Sequence, residues 1–248
     1  MSGLTYLITG ANRGIGKALL EVFVARPQTT VIAAVRDVAS SQKTLSSVAV
    51  GEGSKVIVVK IDSTSESDPA DAVAELKSKY NISKVDVLIS NAGVMNTKAI
   101  LPVIETPLHF VREHFEVNTI GPIALIQAFI PLLKASSSPK FLVITSTIGS
   151  MGLMKEYPVP FFAYGLSKAA ANYFVVKMHY ENEWLTTIAY NPGWVQTDMG
   201  NGAALGVGLT DAPVTLEESI KGLVEQFDSA TREKSGSFIL QTGENAPW

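Results

Sequence analysis

Short runs of β-branched residues alternate along the chain with longer segments whose apolar positions recur at helical spacing. The runs predict seven strands, at Thr5–Thr9, Thr30–Val35, Lys55–Ile61, Val85–Ser90, Lys140–Thr145, Leu185–Tyr190 and Ser237–Leu240. The longer segments predict helices near 15–26, 69–80, 105–134, 163–182 and 215–229, and a weaker one near 39–49. Such alternation packs as a parallel sheet covered on both faces. We therefore expect a Rossmann-type, doubly wound α/β fold with seven parallel strands, in a single domain over residues 1–248.

Two helix starts carry capping signals. Ser67-Asp68-Pro69 supplies a cap and a first-turn proline, and Thr215-Leu-Glu-Glu218 has the spacing of a capping box. Two irregular stretches, 146–162 and 191–214, are rich in Gly or Pro, and each follows a strand. Since active-site loops occupy such positions, we expect these stretches to form the substrate side of a site.

Charge and hydropathy narrow the classes of partner. Lys and Arg number 20, Asp and Glu number 23, and no run of like charges occurs, so we expect neither nucleic acid nor an anionic membrane as partner. The longest apolar stretch, from Ile120 to Leu133, is too short to span a bilayer, and the early first strand leaves no room for a signal peptide. We expect a cytoplasmic protein in which this stretch is a buried helix.

The sequence does not predict a metal site. It contains no cysteine and three histidines, His109, His114 and His179, and no two of these are four residues apart. We expect all three to be ordinary helix-face residues.

A glycine-rich turn, Thr9-Gly10-Ala11-Asn12-Arg13-Gly14-Ile15-Gly16, follows the first predicted strand. Glycines allow close approach to the backbone, and the N-terminus of the following helix favours anions, so the turn predicts a phosphate cradle. Its spacing, Gly-x3-Gly-x-Gly, differs from the general dinucleotide fingerprint. A purely structural role for the glycines stays open at this point.

Tyr164 and Lys168 are four residues apart in a predicted helix, which places them on one face. A tyrosine becomes a useful acid–base at neutral pH when a nearby cation lowers its pKa, and an ammonium one turn away can do this. Taken alone, the pair is more typical of a solvated helix face than of a catalytic pair.

Further motifs fall at strand ends: Asn91-Ala92-Gly93 after the fourth strand, Ser146-Thr-Ile-Gly149 after the fifth and Pro192-Gly193 after the sixth. Together with the glycine-rich turn and the Tyr164-x3-Lys168 pair, they make the sequence resemble the short-chain dehydrogenase/reductase family over essentially its whole length. The resemblance implies an oxidoreductase that transfers hydride between a nicotinamide cofactor and a carbonyl or alcohol.

The resemblance also implies catalytic roles. Tyr164 matches the family's acid–base, and Lys168 matches the residue that binds the nicotinamide ribose and lowers the tyrosine pKa. Asn118 matches the asparagine that completes a proton relay through water to the lysine. Without the resemblance, Asn118 would be a polar residue in the middle of a helix.

Ser146 matches the family serine that hydrogen-bonds the substrate carbonyl, and its neighbours Thr145 and Thr147 are the alternatives. Two features depart from the family pattern. The interval from Ser146 to Tyr164 is longer than usual, and Val143-Ile-Thr-Ser146 replaces the usual Asn-x-Ser-Ser. Neither removes a catalytic group; both fall on the substrate side.

The cofactor side is implied in the same way. Asp62 and Asn91 match positions that line the adenosine half, and Val195 and Thr197 match positions that anchor the carboxamide. The full implied set is Gly10, Asn12, Arg13, Gly14, Ile15, Gly16, Arg36, Asp62, Asn91, Ala92, Gly93, Tyr164, Lys168, Pro192, Gly193, Val195 and Thr197.

The end of the second strand predicts NADP(H) over NAD(H). Val35 stands where NAD users place a carboxylate for the ribose, and Arg36 follows it. A guanidinium attracts the 2′-phosphate, and Arg13 inside the glycine-rich turn adds a second cation. The alternative is that Asp37 binds the ribose and Arg36 is solvated.

Within the family the sequence resembles the fungal norsolorinic acid ketoreductase group, in residues 160–168, 179–185, 195–200 and 247–248. This suggests a ketone of secondary metabolism. Apolar and aromatic residues on the two irregular stretches suggest a bulky, weakly charged substrate: Met151, Leu153, Met154, Tyr157, Phe161, Phe162, Trp194, Met199, Leu205 and Leu209. Alternatively, these residues cover the core or a dimer contact.

We expect an NADPH-dependent ketoreductase. A non-redox cyclase and an NADP(H)-binding regulator on the same scaffold are the alternatives. The helices near 105–134 and 163–182 resemble the pair through which family members form dimers, so a homodimer or homotetramer is compatible with the sequence.

Overall fold

The computed structural model describes residues 3–248, which contain one sheet of seven parallel strands. The strands are β1 (Thr5–Thr9), β2 (Thr30–Val35), β3 (Lys55–Lys60), β4 (Val87–Ser90), β5 (Lys140–Ile144), β6 (Thr186–Asn191) and β7 (Phe238–Leu240). Their order is β3-β2-β1-β4-β5-β6-β7, so the chain winds outward from β1 in one direction and from β4 in the other. The predicted doubly wound sheet is confirmed, and its strand bounds agree with the prediction to within two residues.

The α-helices lie between strands that are consecutive in the chain. They are α1 (Gly14–Val24), α2 (Val38–Leu45), α3 (Asp68–Tyr80), α4 (Leu108–Phe115), α5 (Gly121–Lys134), α6 (Phe162–Glu181), α7 (Asp198–Gly206) and α8 (Leu216–Asp228).

Helices cover both faces of the sheet because the strands bury side chains on both sides. Leu7 of β1 belongs to a core cluster that contains Phe129 of α5 and Val175 of α6. Its neighbour Ile8 belongs to a second cluster, which contains Phe23 of α1. The two clusters are the two layers that make the strands nearly continuous apolar runs.

The predicted capping box is confirmed, and so is Pro69 in the first turn of α3, but the predicted Ser67 cap is wrong. Thr215 and Glu218 form the capping box: the Thr215 hydroxyl accepts from the Glu218 N–H (3.2 Å), and the Glu218 carboxylate accepts from the Thr215 N–H (3.0 Å). Ser67 makes no side-chain cap, because its backbone is already helical. Ser65 takes this role, its hydroxyl accepting from the N–H of Asp68 at 3.1 Å.

The helix predicted over 105–134 is three pieces. It begins only at Leu108, after Thr106-Pro107, because a residue before proline avoids the helical region. A π-helical segment, Glu116–Ile120, then separates α4 from α5. Pro122 lacks the N–H that the Asn118 carbonyl would accept in a continuous α-helix, so Gly121-Pro122 was the sequence signal for this break.

Both stretches that were predicted to be irregular contain some helical structure. The 191–214 stretch contains α7, which begins at Asp198 with the Thr197 hydroxyl accepting from the Gly200 N–H at 3.1 Å. The 146–162 stretch begins with a single 3-10 turn, Thr147–Gly149.

The expectation of ordinary helix-face histidines is wrong in part. His109 is exposed on α4, but His114 at the end of the same helix is completely buried. His179 on α6 has its Nδ1 2.9 Å from Arg232 Nη1. Within residues 3–248, no cluster of three or more His, Cys, Asp or Glu side chains is arranged to hold a metal ion.

The helical stretch Leu108–Lys134 is long and apolar enough to cross a membrane by length and composition alone, the one such stretch in the described part of the chain. Half of the residues in its most apolar 18-residue segment are buried. Leu125, Phe129 and Leu132 of this stretch pack in the core against the sheet, as in a core helix.

Candidate active site

The predicted motifs meet at the carboxyl edge of the four central strands. β1, β4, β5 and β6 are neighbours in the sheet and all parallel. The loops after them carry the glycine-rich turn, Asn91–Gly93, Ser146 and Pro192–Gly193. Segments far apart in the chain therefore come to one edge, as expected for this topology.

The glycines of the glycine-rich turn have a structural role, and the phosphate cradle stays a prediction with which the geometry is compatible. Gly10 and Gly14 have left-handed backbones, with φ of 65° and 52°. A side chain at Gly16 would collide with the Gly10 carbonyl and the Asn91 amide, so this glycine is needed for packing. Arg13 precedes α1 without a side-chain cap, which leaves the first N–H groups of the helix available to an anion.

Asn91 and Thr9 tie the loop after β4 to that turn. The Asn91 side-chain amide donates to the Thr9 carbonyl at 2.8 Å. The Thr9 hydroxyl accepts from the backbone N–H groups of Asn91 (3.0 Å) and Ala92 (2.9 Å). The Asn91 side chain thus lies beneath the turn and supports its backbone.

At the end of β2, Arg36 is exposed and Asp37 is engaged elsewhere. The Asp37 carboxylate caps α2 by accepting from the Ser40 N–H at 3.1 Å, and this bond holds the pKa of Asp37 below its usual value. Arg13, also exposed, has Nη1 3.9 Å from the carboxylate of Asp198. Both guanidinium groups are thus on the solvent side of the turn.

Asp62 follows β3 and forms a local turn. Its Oδ1 accepts from the backbone N–H of Thr64 (2.9 Å) and from the Thr64 hydroxyl (2.8 Å). Its own N–H donates to the buried Asp68 carboxylate at 2.9 Å. The loop after β3 is therefore held in a defined conformation beside the turn after β1.

Asn118 joins the loop after β4 to helix α6. In the π-helical segment its side-chain oxygen accepts from the Val94 N–H (2.8 Å), and its amide nitrogen donates to the Val94 carbonyl (2.9 Å) and to the Ser167 hydroxyl (2.9 Å). The Ser167 hydroxyl in turn donates to the Tyr164 carbonyl at 2.7 Å. All side-chain polar groups of Asn118 are used to connect these elements.

On helix α6, Lys168 is buried and Tyr164 is half-buried. The Lys168 ammonium donates to the Ile144 carbonyl at 3.0 Å and lies 5.7 Å from the centre of the Tyr164 ring. Burial lowers the pKa of Lys168 to about 8. Burial also raises the pKa of Tyr164 to about 12, with the Ser146 hydroxyl acting in the opposite direction.

The expected lowering of the Tyr164 pKa by Lys168 is therefore not found in the protein chain alone. Removing the phenol from water disfavours the tyrosinate, and the ammonium points toward Ile144 at the end of β5. This corrects the sequence-based argument from helical spacing, which placed the two groups on one face but took no account of burial.

Ser146 differs from both of its threonine neighbours. Its hydroxyl accepts from the Ile148 N–H (3.2 Å) at the start of the 3-10 turn and faces Tyr164. The Thr145 hydroxyl is buried and donates to Asn172 at 2.6 Å. The Thr147 N–H donates to the Asn191 side chain at 3.2 Å.

The loop after β6 turns sharply and then starts α7. Gly193 has a left-handed backbone with φ of 83°, and a side chain there would press on Val214. The Pro192 carbonyl accepts from a buried serine of α8. The Val195 carbonyl accepts from the Thr197 N–H at 2.8 Å, which sets the approach to α7.

The apolar residues of the two substrate stretches divide into two groups. Phe161 is buried and packs edge-on against Trp194, with ring centres 5.9 Å apart. Leu153, Phe162 and Trp194 are half-buried. The exposed members are Met151, Met154, Tyr157, Met199, Leu205 and Leu209.

The turn after Ser150 is attached to the last residues of the chain. The Ser150 hydroxyl donates to the Pro247 carbonyl (2.7 Å), and the Gly152 N–H donates to the Trp248 carbonyl (2.9 Å). Trp248 stacks on Phe238 of β7, with ring centres 5.5 Å apart. Residues 247–248 therefore connect this turn to the sheet.

Sequence reasoning missed the hydroxyl groups that hold the site together. Thr9 comes directly before the first glycine of the turn, and Ser167 lies between Tyr164 and Lys168. Their positions beside motif residues were the available signal. The Thr9 hydroxyl binds the loop after β4, 82 and 83 residues away, and the Ser167 hydroxyl binds Asn118, 49 residues away, so no local pattern names these partners.

Replacing Lys168 by methionine should stabilise the protein without added cofactor at pH 7. Below about pH 8 the amine is charged in both folded and unfolded states, so the folded state bears the whole cost of burying the charge, roughly 3 kcal/mol. The lost bond to Ile144 offsets about 1 kcal/mol of this gain. The gain should shrink as pH rises from about 8 to 10.5, above which the amine is mostly neutral in both states.

Urea unfolding at pH 7 and pH 10 measures this difference. Lys177→Met, at an exposed lysine of the same helix, is the matched control and should show no such gain. A Lys168→Met protein that is less stable than wild type at pH 7 would contradict the prediction.

Comparison with known proteins agrees with this arrangement. A family model described as short chain dehydrogenase matches residues 5–206. Norsolorinic acid ketoreductases from Dothistroma septosporum and Aspergillus parasiticus are 47% and 40% identical, covering 98% of this chain in both cases and 92% and 90% of those proteins. The NADPH-bound carbonyl reductase from chicken fatty liver has the same fold, with a TM-score of 0.84 at 27% identity over 100% of both chains. The chain therefore belongs to the short-chain dehydrogenase/reductase family of oxidoreductases.

Proposed function

We propose that the protein is an NADPH-dependent ketoreductase. The observation that carries the proposal is the grouping of Ser146, Tyr164 and Lys168 at the carboxyl edge of the sheet, with Asn118 bonded to the loop beside them. A hydroxyl donor, a proton donor and a buried amine are the groups that carbonyl reduction needs. The names of the two fungal relatives, both ketoreductases, support the same reaction.

The glycine-rich turn fits the phosphate groups of a dinucleotide. The helix after it has no side-chain cap and no acidic residue in its first turn. Its free N–H groups and positive end suit an anion, and Gly10 and Gly14 leave room for one. The residues that would hold the cofactor are Gly10, Asn12, Arg13, Gly14, Ile15, Gly16, Arg36, Asp62, Asn91, Ala92, Gly93, Tyr164, Lys168, Pro192, Gly193, Val195 and Thr197.

The proposed mechanism assigns one task to each catalytic side chain. When bound, the nicotinamide cofactor supplies the hydride that adds to the carbonyl carbon. The Tyr164 hydroxyl gives its proton to the carbonyl oxygen, and the Ser146 hydroxyl donates a hydrogen bond to the same oxygen. Lys168 is mostly charged at neutral pH, since its pKa is about 8, and its ammonium, held by the Ile144 carbonyl, would bind the nicotinamide ribose. Asn118 keeps α6 and the loop after β4 in place.

Two other functions use the same fold: an NADP(H)-binding regulator and a non-redox cyclase. A regulator has no need for a proton donor beside a buried amine, whereas a reductase does. The names of the fungal relatives favour reduction over cyclisation. Oxidation of NADPH that depends on an added ketone separates the reductase from both.

Tyr164→Phe should lower turnover by about 10²–10⁴-fold and leave the Kd for NADPH within a few-fold of wild type. Only the hydroxyl is lost, and the ring remains to pack. NADPH oxidation with the best ketone of a panel measures turnover, and calorimetry measures Kd. Tyr173→Phe, at an exposed tyrosine of the same helix, is the control. A Tyr164→Phe protein with more than about a tenth of wild-type turnover would show that Tyr164 is not the proton donor.

The preference for NADP(H) rests on Arg36 and Arg13. Both are exposed beside the proposed phosphate cradle, and Asp37 is engaged in capping α2, which weakens the alternative that it binds the ribose. A carboxylate in this place would repel a 2′-phosphate, whereas guanidinium groups attract it. The NADPH bound to the chicken carbonyl reductase gives further support.

Arg36→Asp should weaken NADPH binding far more than NADH binding. Hydrogen bonds to charged groups contribute about 1.5–3 kcal/mol each, so we expect wild type to prefer NADPH by about 10²–10³-fold. Titration calorimetry at one fixed salt concentration measures all four Kd values. Lys77→Asp, an exposed charge reversal on α3, controls for the general change in charge. Equal Kd values for NADPH and NADH in wild type would contradict the proposal.

The proposed substrate is a bulky, weakly charged ketone of the kind found in secondary metabolism. We assign its contacts to stretches 146–162 and 191–214, which carry the Phe161–Trp194 pair and several exposed apolar side chains. The names of the two fungal relatives refer to norsolorinic acid, which supports a polyketide-type aromatic substrate.

A panel of ketones tests this substrate class. We expect kcat/KM for large aryl ketones to exceed that for small charged keto acids by more than about tenfold, because each buried methylene contributes about 0.8 kcal/mol. The assay is NADPH oxidation at equal substrate concentrations below KM. A preference for the small keto acids would overturn the assignment of the two stretches.

A further inference from the structure

His114 is a buried side chain that the proposed mechanism does not use. It lies at the end of α4, one helical turn before Asn118, and its exposed fraction is 0%. Its ring is edge-on to the ring of Tyr164, with centres 6.4 Å apart. The histidine therefore packs directly beside the proposed proton donor.

Both ring nitrogens of His114 have backbone partners. Nδ1 is 2.7 Å from the Phe110 carbonyl, and Nε2 accepts from the Asn96 N–H at 3.1 Å. A carbonyl only accepts and an N–H only donates, so these partners assign the proton to Nδ1 and make the ring neutral. His114 thus presents an acceptor to the loop that follows β4.

The same loop is bound a second time, by Asn118. The Asn118 side chain binds both the N–H and the carbonyl of Val94, two residues before Asn96. Two side chains one helical turn apart therefore bind alternate residues of one extended segment. That segment continues into the 3-10 turn Thr97–Ala99, which contacts both α6 and α7.

We infer that His114 is a positioning residue for the substrate side of the site. By binding the Asn96 N–H it sets where segment 94–99 lies relative to Tyr164 and to α7, and so sets the width available to the ketone. The proposed cofactor contacts on the glycine-rich turn lie outside this hydrogen-bond pair. The inference deepens the proposed function, on which its kinetic test rests.

Asparagine and glutamine at position 114 separate the two hydrogen bonds. The amide nitrogen of asparagine can replace Nδ1 as a donor to Phe110, but its oxygen cannot reach Asn96. The longer glutamine can place its oxygen near the position of Nε2 and accept from the Asn96 N–H. The two variants have the same functional group and differ in which bond they retain.

We expect His114→Gln to keep kcat/KM for the best aryl ketone within about threefold of wild type, and His114→Asn to lower it roughly ten- to a hundredfold. The loss should fall on both kcat and KM, with the Kd for NADPH within about twofold in both variants. His109→Asn, at the exposed histidine of the same helix, is the matched control and should behave as wild type.

Hydrogen–deuterium exchange of residues 94–99 tests the same inference without activity. Exchange there should be faster in His114→Asn than in wild type or His114→Gln. Equal exchange in all three proteins, or equal kcat/KM in folded Asn and Gln variants, would overturn the inference. Should the Asn variant fail to fold, a normally stable Gln variant that loses more than about tenfold in kcat/KM would overturn it. A wild-type protein that reduces no ketone would refute the proposed function, and the exchange comparison would still test His114.

Discussion

The hydrogen bonds of the Asn118 side chain connect the parts of the site that come from different regions of the chain. On one side they bind Val94 in the loop after β4, and on the other they bind Ser167 between Tyr164 and Lys168. Asn118 lies in the π-helical segment Glu116–Ile120, where the long helix departs from α-helical geometry. The placement of α6 beside the loop after β4 therefore depends on a side chain within a local irregularity of the helix.

Burial then determines the electrostatics of that arrangement. An amine and a phenol removed from water both favour their neutral forms, which is why the pKa of Lys168 is lowered and that of Tyr164 is raised. A core built only for stability would place apolar residues here. The site instead retains two groups whose charged states are costly in the folded chain, a familiar conflict between stability and activity.

The two halves of the site use different chemistry. The proposed cofactor half is made mainly of backbone: an uncapped helix start, left-handed glycines and a turn supported by Thr9 and Asn91. The proposed substrate half is made of side chains on two irregular stretches, one of which is attached to the end of the chain by contacts such as that of Ser150 with Pro247. Backbone geometry depends less on the exact sequence than a set of side chains does. This agrees with the fold that this chain shares with the chicken enzyme at 27% identity.

The sequence by itself determined the strands, the order of the elements and the capping box at Thr215, because these depend on residues close together in the chain. Motif spacing also determined which family the chain resembles. The tertiary structure alone decided that Ser65 replaces Ser67 as a cap, that the Asn91 amide lies beneath the glycine-rich turn and that His114 is buried. It also decided that Lys168 does not lower the Tyr164 pKa in the chain alone. The physical reason is that hydrogen-bond partners, burial and solvation at this edge of the sheet come from segments tens of residues apart, and no local pattern records which of them meet.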